Sequence, residues 1–111
     1  MKISHDFDSG SITVLDTTDI NNIQLELKAD NSDNTMQWFH FRCHTNTALN
    51  HTIRILNAGE SSFPKAWGNY QVMASYDGLT WFRVPTKFID NQLVINYTPA
   101  KSAISYAYFT P

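Results

Sequence analysis

The sequence predicts an all-β chain, an antiparallel β-sandwich of about nine strands forming one domain over residues 1–111. Three observations predict it. Short runs of alternating apolar and polar residues recur from end to end, with turn residues about every 8–12 positions, the spacing of sandwiches and barrels. Seven Phe, five Tyr and three Trp bring the aromatic share to 14%, a load that suits pleated sheets better than helices. No segment sustains a 3.6-residue period with capping residues at its ends.

The elements follow in order. Ile3, His5 and Phe7 alternate with polar neighbours until Asp8-Ser9-Gly10 ends the run, and Ile12 to Leu15 forms the next. Asp16 to Asn22 has room for at most one helical turn, with Asp19 near its start. Ile23, Leu25 and Leu27 then alternate with Gln24 and Glu26, and the polar stretch Asp30 to Asn34 reads as a loop. In Gln37 to Cys43, Phe39, Phe41 and Cys43 share one face and Trp38, His40 and Arg42 the other, the pattern of a central strand with an apolar inner side. His51 to Leu56 sets Ile53 and Ile55 opposite Thr52 and Arg54. Asn57 to Asn69 is the longest irregular segment. Two hairpins follow: Gln71 to Tyr76 and Leu79 to Val84 about Asp77-Gly78, then Phe88-Ile89 and Gln92 to Tyr97 about Asp90-Asn91. A last strand runs from Ile104 to Phe109.

Composition excludes several functions. Eight basic and ten acidic residues give a net charge of −2 without a Lys/Arg cluster, so phosphate neutralisation and nucleic-acid binding have no basis. No apolar run approaches the roughly 18–20 residues that span a bilayer, so no membrane partner is expected. The start lacks the apolar core of a signal peptide, and the single cysteine, Cys43, cannot form an internal disulfide. Cytoplasmic location is the expectation.

The candidates for chemistry are weak. His40, His44 and His51 surround Cys43 in sequence, but residues four apart on one strand lie about 13 Å from each other, too far to share an ion. No Cys-x-x-Cys, His-x-x-Glu or Gly-x-Ser-x-Gly occurs. Cys43, between phenylalanines on the inner face, reads as a small hydrophobe. No metal ligand, catalytic residue or cofactor is assigned. Large aromatics do concentrate around the irregular segment: Phe63, Trp67, Tyr70, Tyr76 and Trp81. They read either as a binding face for a peptide or a sugar or as packing that ties the long loop to the sheet and closes the core. Trp81, in a strand, fits the second reading better; for Trp67 and Tyr70 both stand.

Several segments carry a resemblance. Trp38-Phe39-His40-Phe41-Arg42 is similar to the Trp-Phe-x-Phe-Arg strand of the N-terminal domain of cytosolic carboxypeptidases, a branch of the carboxypeptidase A-like zinc peptidases. Ile55 to Gly59 resembles the strand-to-loop segment of the bacterial members, and Phe63 to Tyr70 their aromatic-Pro-x-x-Trp-x-x-Tyr pattern. Ser75 to Thr86 matches best, and Tyr106 to Pro111 resembles the strand that leads into the catalytic domain.

The resemblance implies a non-catalytic sandwich beside a zinc peptidase domain that cleaves peptide C-termini, either stabilising that domain or shaping its substrate entrance. The family's zinc ligands and general base lie in the part that follows. None of the four histidines here has a Glu three positions on, so no catalytic or zinc residue carries over. Trp67, Tyr70 and Arg83 are the binding candidates for the interface or substrate rim, Arg83 because a guanidinium pairs bidentately with carboxylates. The expected partner is the chain's own peptidase domain. An isolated N-domain would leave its docking face bare and self-associate as a homodimer. The alternative is a stand-alone carbohydrate- or peptide-binding sandwich, which needs coplanar exposed aromatics such as Trp67 with Tyr70 or Tyr76.

Overall fold

The computed structural model describes residues 1–30, 35–45 and 49–109. Most of the loop expected at Asp30 to Asn34, and the last two residues of the Tyr106 to Pro111 motif, lie outside them. Among the described residues ten strands form, where about nine were expected, in two five-stranded sheets. The first sheet contains β1 (Lys2–Ser4), β4 (His40–His44), β10 (Ala103–Ala107), β6 (Met73–Ser75) and β7 (Phe82–Arg83), in that spatial order. The second contains β2 (Thr13–Asp16), β3 (Ile23–Glu26), β5 (His51–Ile55), β9 (Gln92–Tyr97) and β8 (Thr86–Ile89). Every pairing is antiparallel except β3 with β5, where Ile23 stands beside Ile53 and Leu25 beside Ile55. Between them the chain crosses to the first sheet as β4 and returns, so both strands run the same way.

Register explains the core. Side chains alternate across a strand, so aligned residues on neighbouring strands share a face. In the first sheet Ile3, Cys43 and Ile104 align, as do Phe41, Tyr106, Ala74 and Phe82. In the second, Ile23, Ile53 and Ile95 align, followed by Leu25, Ile55 and Leu93. These rows form one buried cluster between the sheets, with Met1, Ile3, Phe82 and Tyr97 packed against its margin. Each large side chain removed from water contributes about 1.5–3 kcal/mol before the entropy of ordering is charged against it.

Local chemistry sets the connections. Asp90 and Asn91 both adopt positive φ, 53° and 62°, which makes the β8–β9 link a two-residue type I′ turn whose twist matches that of its strands. The β6–β7 hairpin also forms, but through a wider loop than Asp77-Gly78 alone. Asp77 Oδ1 accepts the backbone N–H groups of Leu79 and Thr80, both at 2.8 Å, and Gly78 takes a φ of 77°. These N–H bonds hold the Asp77 carboxyl below its ordinary pKa. The short segment after β2 turns on Asp19, whose carboxylate accepts Asn21 N–H at 2.9 Å. At Gly10 a side chain has no room, because a Cβ would lie 2.0 Å from the His5 carbonyl oxygen.

The two outer faces differ. On the second sheet the outward positions include Gln24, Glu26, Arg54, Lys87 and Asn96, with Val94 and Ile89 among them, a surface of mixed charge with few apolar residues and no aromatic ring at those positions. On the first sheet no acidic residue stands at an outward strand position, and the centre of the face is closed: Met73, Ser75, Ser105 and Ala107 are all buried. The sheets are irregular at their margins. β7 has only two residues, β1 three, and the pairing of β2 slips between Val14 and Asp16.

Candidate functional site

The irregular segment after β5 is held by side-chain amides that stand in for a neighbouring strand. Asn57 Oδ1 accepts Leu27 N–H at 2.7 Å and Asn57 Nδ2 donates to Leu27 O at 3.1 Å. Gln37, itself buried, does the same for Phe63: its Nε2 donates to Phe63 O at 3.1 Å and its Oε1 accepts Phe63 N–H at 2.9 Å. Such paired bonds satisfy backbone groups that a loop passing over a core would leave unpaired. A short 3₁₀ turn follows each anchor, Ala58–Glu60 after Asn57 and Pro64–Trp67 after Phe63, the second begun by a proline whose fixed φ suits a first helical position.

This path drives Trp67 into the core. It is 1% exposed, and its indole N–H is shared between Ala58 O at 2.9 Å and Ser61 Oγ at 3.0 Å. Its ring meets those of Tyr70 and Tyr108 edge-on, with centroids 5.3 and 5.4 Å away, and lies 6.4 Å from Phe39. Tyr70 is half-buried, and its hydroxyl donates to the carbonyl oxygens of Tyr108 and Ala107. Burial pushes its phenol above the ordinary value, as does Tyr108, while the Arg83 guanidinium pulls the other way. Tyr70 therefore stays neutral and remains a donor.

Arg83, exposed at the end of β7, donates from Nη1 to Gln71 O at 2.8 Å. With Lys65, Asn69, Gln71 and Tyr70 it lines a shallow hollow that holds two cations and no carboxylate. Of the three residues singled out in the sequence, the fold brings Tyr70 and Arg83 to this hollow and places Trp67 behind them. Trp67 can act on a partner only by holding Tyr70. The flat stacking platform required of a sugar-binding module does not form here, since the Trp67 and Tyr70 rings cross at 71° and Trp67 is buried. Tyr76 instead packs on Phe82, with Lys101 Nζ 5.7 Å from its ring centroid.

Trp81, expected to close the core, lies on the outer face of the first sheet. Its ring centroid is 5.8 Å from that of His40 on β4, so the indole reaches back over β6 and β10. His40 meets Phe7 edge-on at 4.9 Å and bonds Ser9 Oγ through Nδ1 at 3.0 Å. Trp38 follows on the same face, 43% exposed, with its ring centroid 4.7 Å from that of Phe109, which is 53% exposed.

The histidines do not converge. His40 sits on the outer face, whereas His51 is buried and shares a 2.6 Å hydrogen bond between Nε2 and Tyr106 Oη. Among the described residues no group of three or more His, Cys, Asp and Glu could hold a metal ion. Cys43 is buried, and its thiol is pushed far up by burial. No helix among the described residues is long and apolar enough to cross a membrane. The arrangement defines a β-sandwich module braced by an aromatic corner, with Phe7, Trp38 and Phe109 exposed beside the first sheet and Phe63 exposed on the loop after β5.

Comparison with known proteins gives this module a family. The family described as cytosolic carboxypeptidase N-terminal domain matches residues 3–109, and the chain belongs to it. A metallo-carboxypeptidase from Pseudomonas aeruginosa, solved in complex with (2-guanidinoethylmercapto)succinic acid, is 41% identical and superposes with a TM-score of 0.96 over 100% of this chain and 30% of its own. A metallo-carboxypeptidase from Burkholderia cenocepacia is 37% identical, with a TM-score of 0.96 over 99% of this chain and 29% of its own. An uncharacterized protein of Zymomonas mobilis is 34% identical over 111 residues, all of this chain and 29% of the relative. The chain thus spans less than a third of the length of each of these relatives.

Proposed function

We propose that this chain is the non-catalytic N-domain of a zinc metallocarboxypeptidase, working in the cytoplasm beside its own peptidase domain. The observation that carries the reading is the family match over residues 3–109 together with solved metallo-carboxypeptidases of which the chain covers 30% or less. The described residues do not suit a zinc site, because His51 is turned into the core and His40 is engaged by Ser9 and Phe7. The metal therefore belongs to the part of the protein outside this chain. There a bound zinc would activate water and polarise the peptide carbonyl. The sandwich stabilises that part and shapes the entrance to it. Tyr70 and Arg83 stand at the rim, with Trp67 fixing Tyr70 from behind. The cationic hollow they line suits a carboxylate, the group that ends every peptide.

The test is peptide hydrolysis by the whole protein and by residues 1–111 alone. The whole protein is expected to release C-terminal residues and to lose that activity to a zinc chelator, while the domain alone releases none. Hydrolysis by the domain alone would overturn the reading. Arg83→Ala separates a role at the rim from one in folding. Exposed and bonded only to Gln71 O among the contacts described, Arg83 should cost less than about 0.5 kcal/mol of stability when truncated. A raised KM in the whole protein with unchanged unfolding would place it at the rim, and an unchanged KM would remove it.

A further inference from the structure

The two outer faces of a free-standing sandwich should both be solvated, yet one of them here is built like half of an interface. Two ring groups lie on the first sheet, Phe7 and Trp81 about His40 and, two residues before His40 in the chain, Trp38 against Phe109. Trp38 and Phe109 occupy facing positions two residues beyond the His40–Ala107 pair, so their exposure belongs to one patch rather than to scattered residues. Beneath Trp81 the sheet carries small or buried side chains, Ser75, Ser105 and Ala107, which lets the aromatics lie close to the backbone. The charge is one-sided: Lys2, Arg42 and Arg83 project from outward positions and no acidic residue accompanies them on these strands. Interface cores combine aromatic and arginine enrichment with few other charges, and this face has that composition.

We infer that the outer face of the first sheet, centred on Trp38 and Phe109, is the surface on which the rest of the polypeptide docks. The inference rests on the reading of the chain as an N-domain. Three observations choose this occupant. The solved relatives have more than two thirds of their length outside the matched region, and the family to which the chain belongs is described as an N-terminal domain. Phe109 lies just past β10, so a chain continuing from it departs from the margin of this same patch. The one-sided charge calls for a partner surface with an apolar centre and acidic residues around it, facing Lys2 and Arg42. Arg83 also borders the hollow with Tyr70, which puts the proposed rim at the edge of the contact.

Hydroxyl-radical footprinting of the whole protein tests this. Labelling of Trp38 and Phe109 in the native protein is compared with that of Leu79 and Ile89, which are exposed here on the β6–β7 loop and the second sheet, and with buried Trp67. The expected result is loss of labelling at Trp38 and Phe109 down to the level of Trp67, with Leu79 and Ile89 still reactive. Trp38 and Phe109 reacting as fast as Leu79 would overturn the docking face, as would protection of Ile89 in their place. The same preparation is assayed for release of C-terminal residues. An active enzyme with a reactive Trp38 sinks the docking face alone. A protected Trp38 in a protein without peptidase activity upholds the face and sinks the carboxypeptidase reading.

Discussion

Replacing Trp67 with Ala is expected to remove about 3–5 kcal/mol of folding stability, read as a fall in the urea midpoint at an unchanged slope. The size follows from what the indole does. It fills the space between Phe39, Tyr70 and Tyr108, and its N–H satisfies both Ala58 O and Ser61 Oγ. Truncation leaves a cavity and strips a donor from two buried acceptors, two penalties that add. Against a total of about 5–15 kcal/mol for a domain of ordinary stability, the loss is large enough to populate the unfolded chain. Trp67→Phe keeps most of the volume and loses the N–H, so it should fall between the two. A loss below about 1 kcal/mol on Trp67→Ala, the size typical of an unremarkable substitution, would show that the corner does not brace the fold.

The second large effect is a loss of stability in mild acid. His51 is buried against Tyr106, its Nδ1 has no hydrogen-bond partner among the described residues, and burial lowers its pKa to about 4 from an ordinary 6.5. Between those two values the unfolded chain binds a proton that the folded chain refuses, so stability rises with pH across the window. The contribution is complete above about pH 6.5, is lost progressively as pH falls toward 4, and changes no further below that. A shift of this size corresponds to roughly 3 kcal/mol over the window. The Asp16 and Asp77 carboxyls, both held below their usual value of 3.8, withdraw their contributions only at lower pH. Chemical unfolding of the wild type and of His51→Gln between pH 7 and pH 4 checks this. The variant should show a much flatter profile, and parallel profiles would clear His51.

Much of this was legible in the residues because sheet periodicity is a two-state signal. The alternation through Phe39, Phe41 and Cys43 set the inner face of β4, and Asp90-Asn91 marked a turn that needs positive φ. The alternation of β5, extended one step back from Ile53, would also have set His51 inside. Other features depend on distant partners and leave no local trace. The parallel pairing of β3 with β5 comes from where β4 goes. Gln37 falls on the inner face by the alternation that places Phe39, but the backbone it serves, that of Phe63, is 26 residues away and leaves no local trace. Trp67 was left open and Trp81 was read as core for a related reason: an aromatic near a loop has the same local pattern whether it is swallowed by the core or laid on the outside. The structure sends the first inward and the second outward.

The uneven margins of the two sheets bear on how the protein stays in solution. A long, regular outer strand offers a row of unmet N–H and C=O groups onto which a strand of another molecule can add, and repetition of that step builds fibres. Here β7 is too short to template such growth, β1 carries Lys2, and the slipped pairing at Leu15 keeps β2 from presenting an even row. Lateral addition is thereby hindered at three of the four margins, which leaves β8, four residues in even register with β9, as the edge onto which a foreign strand could still add.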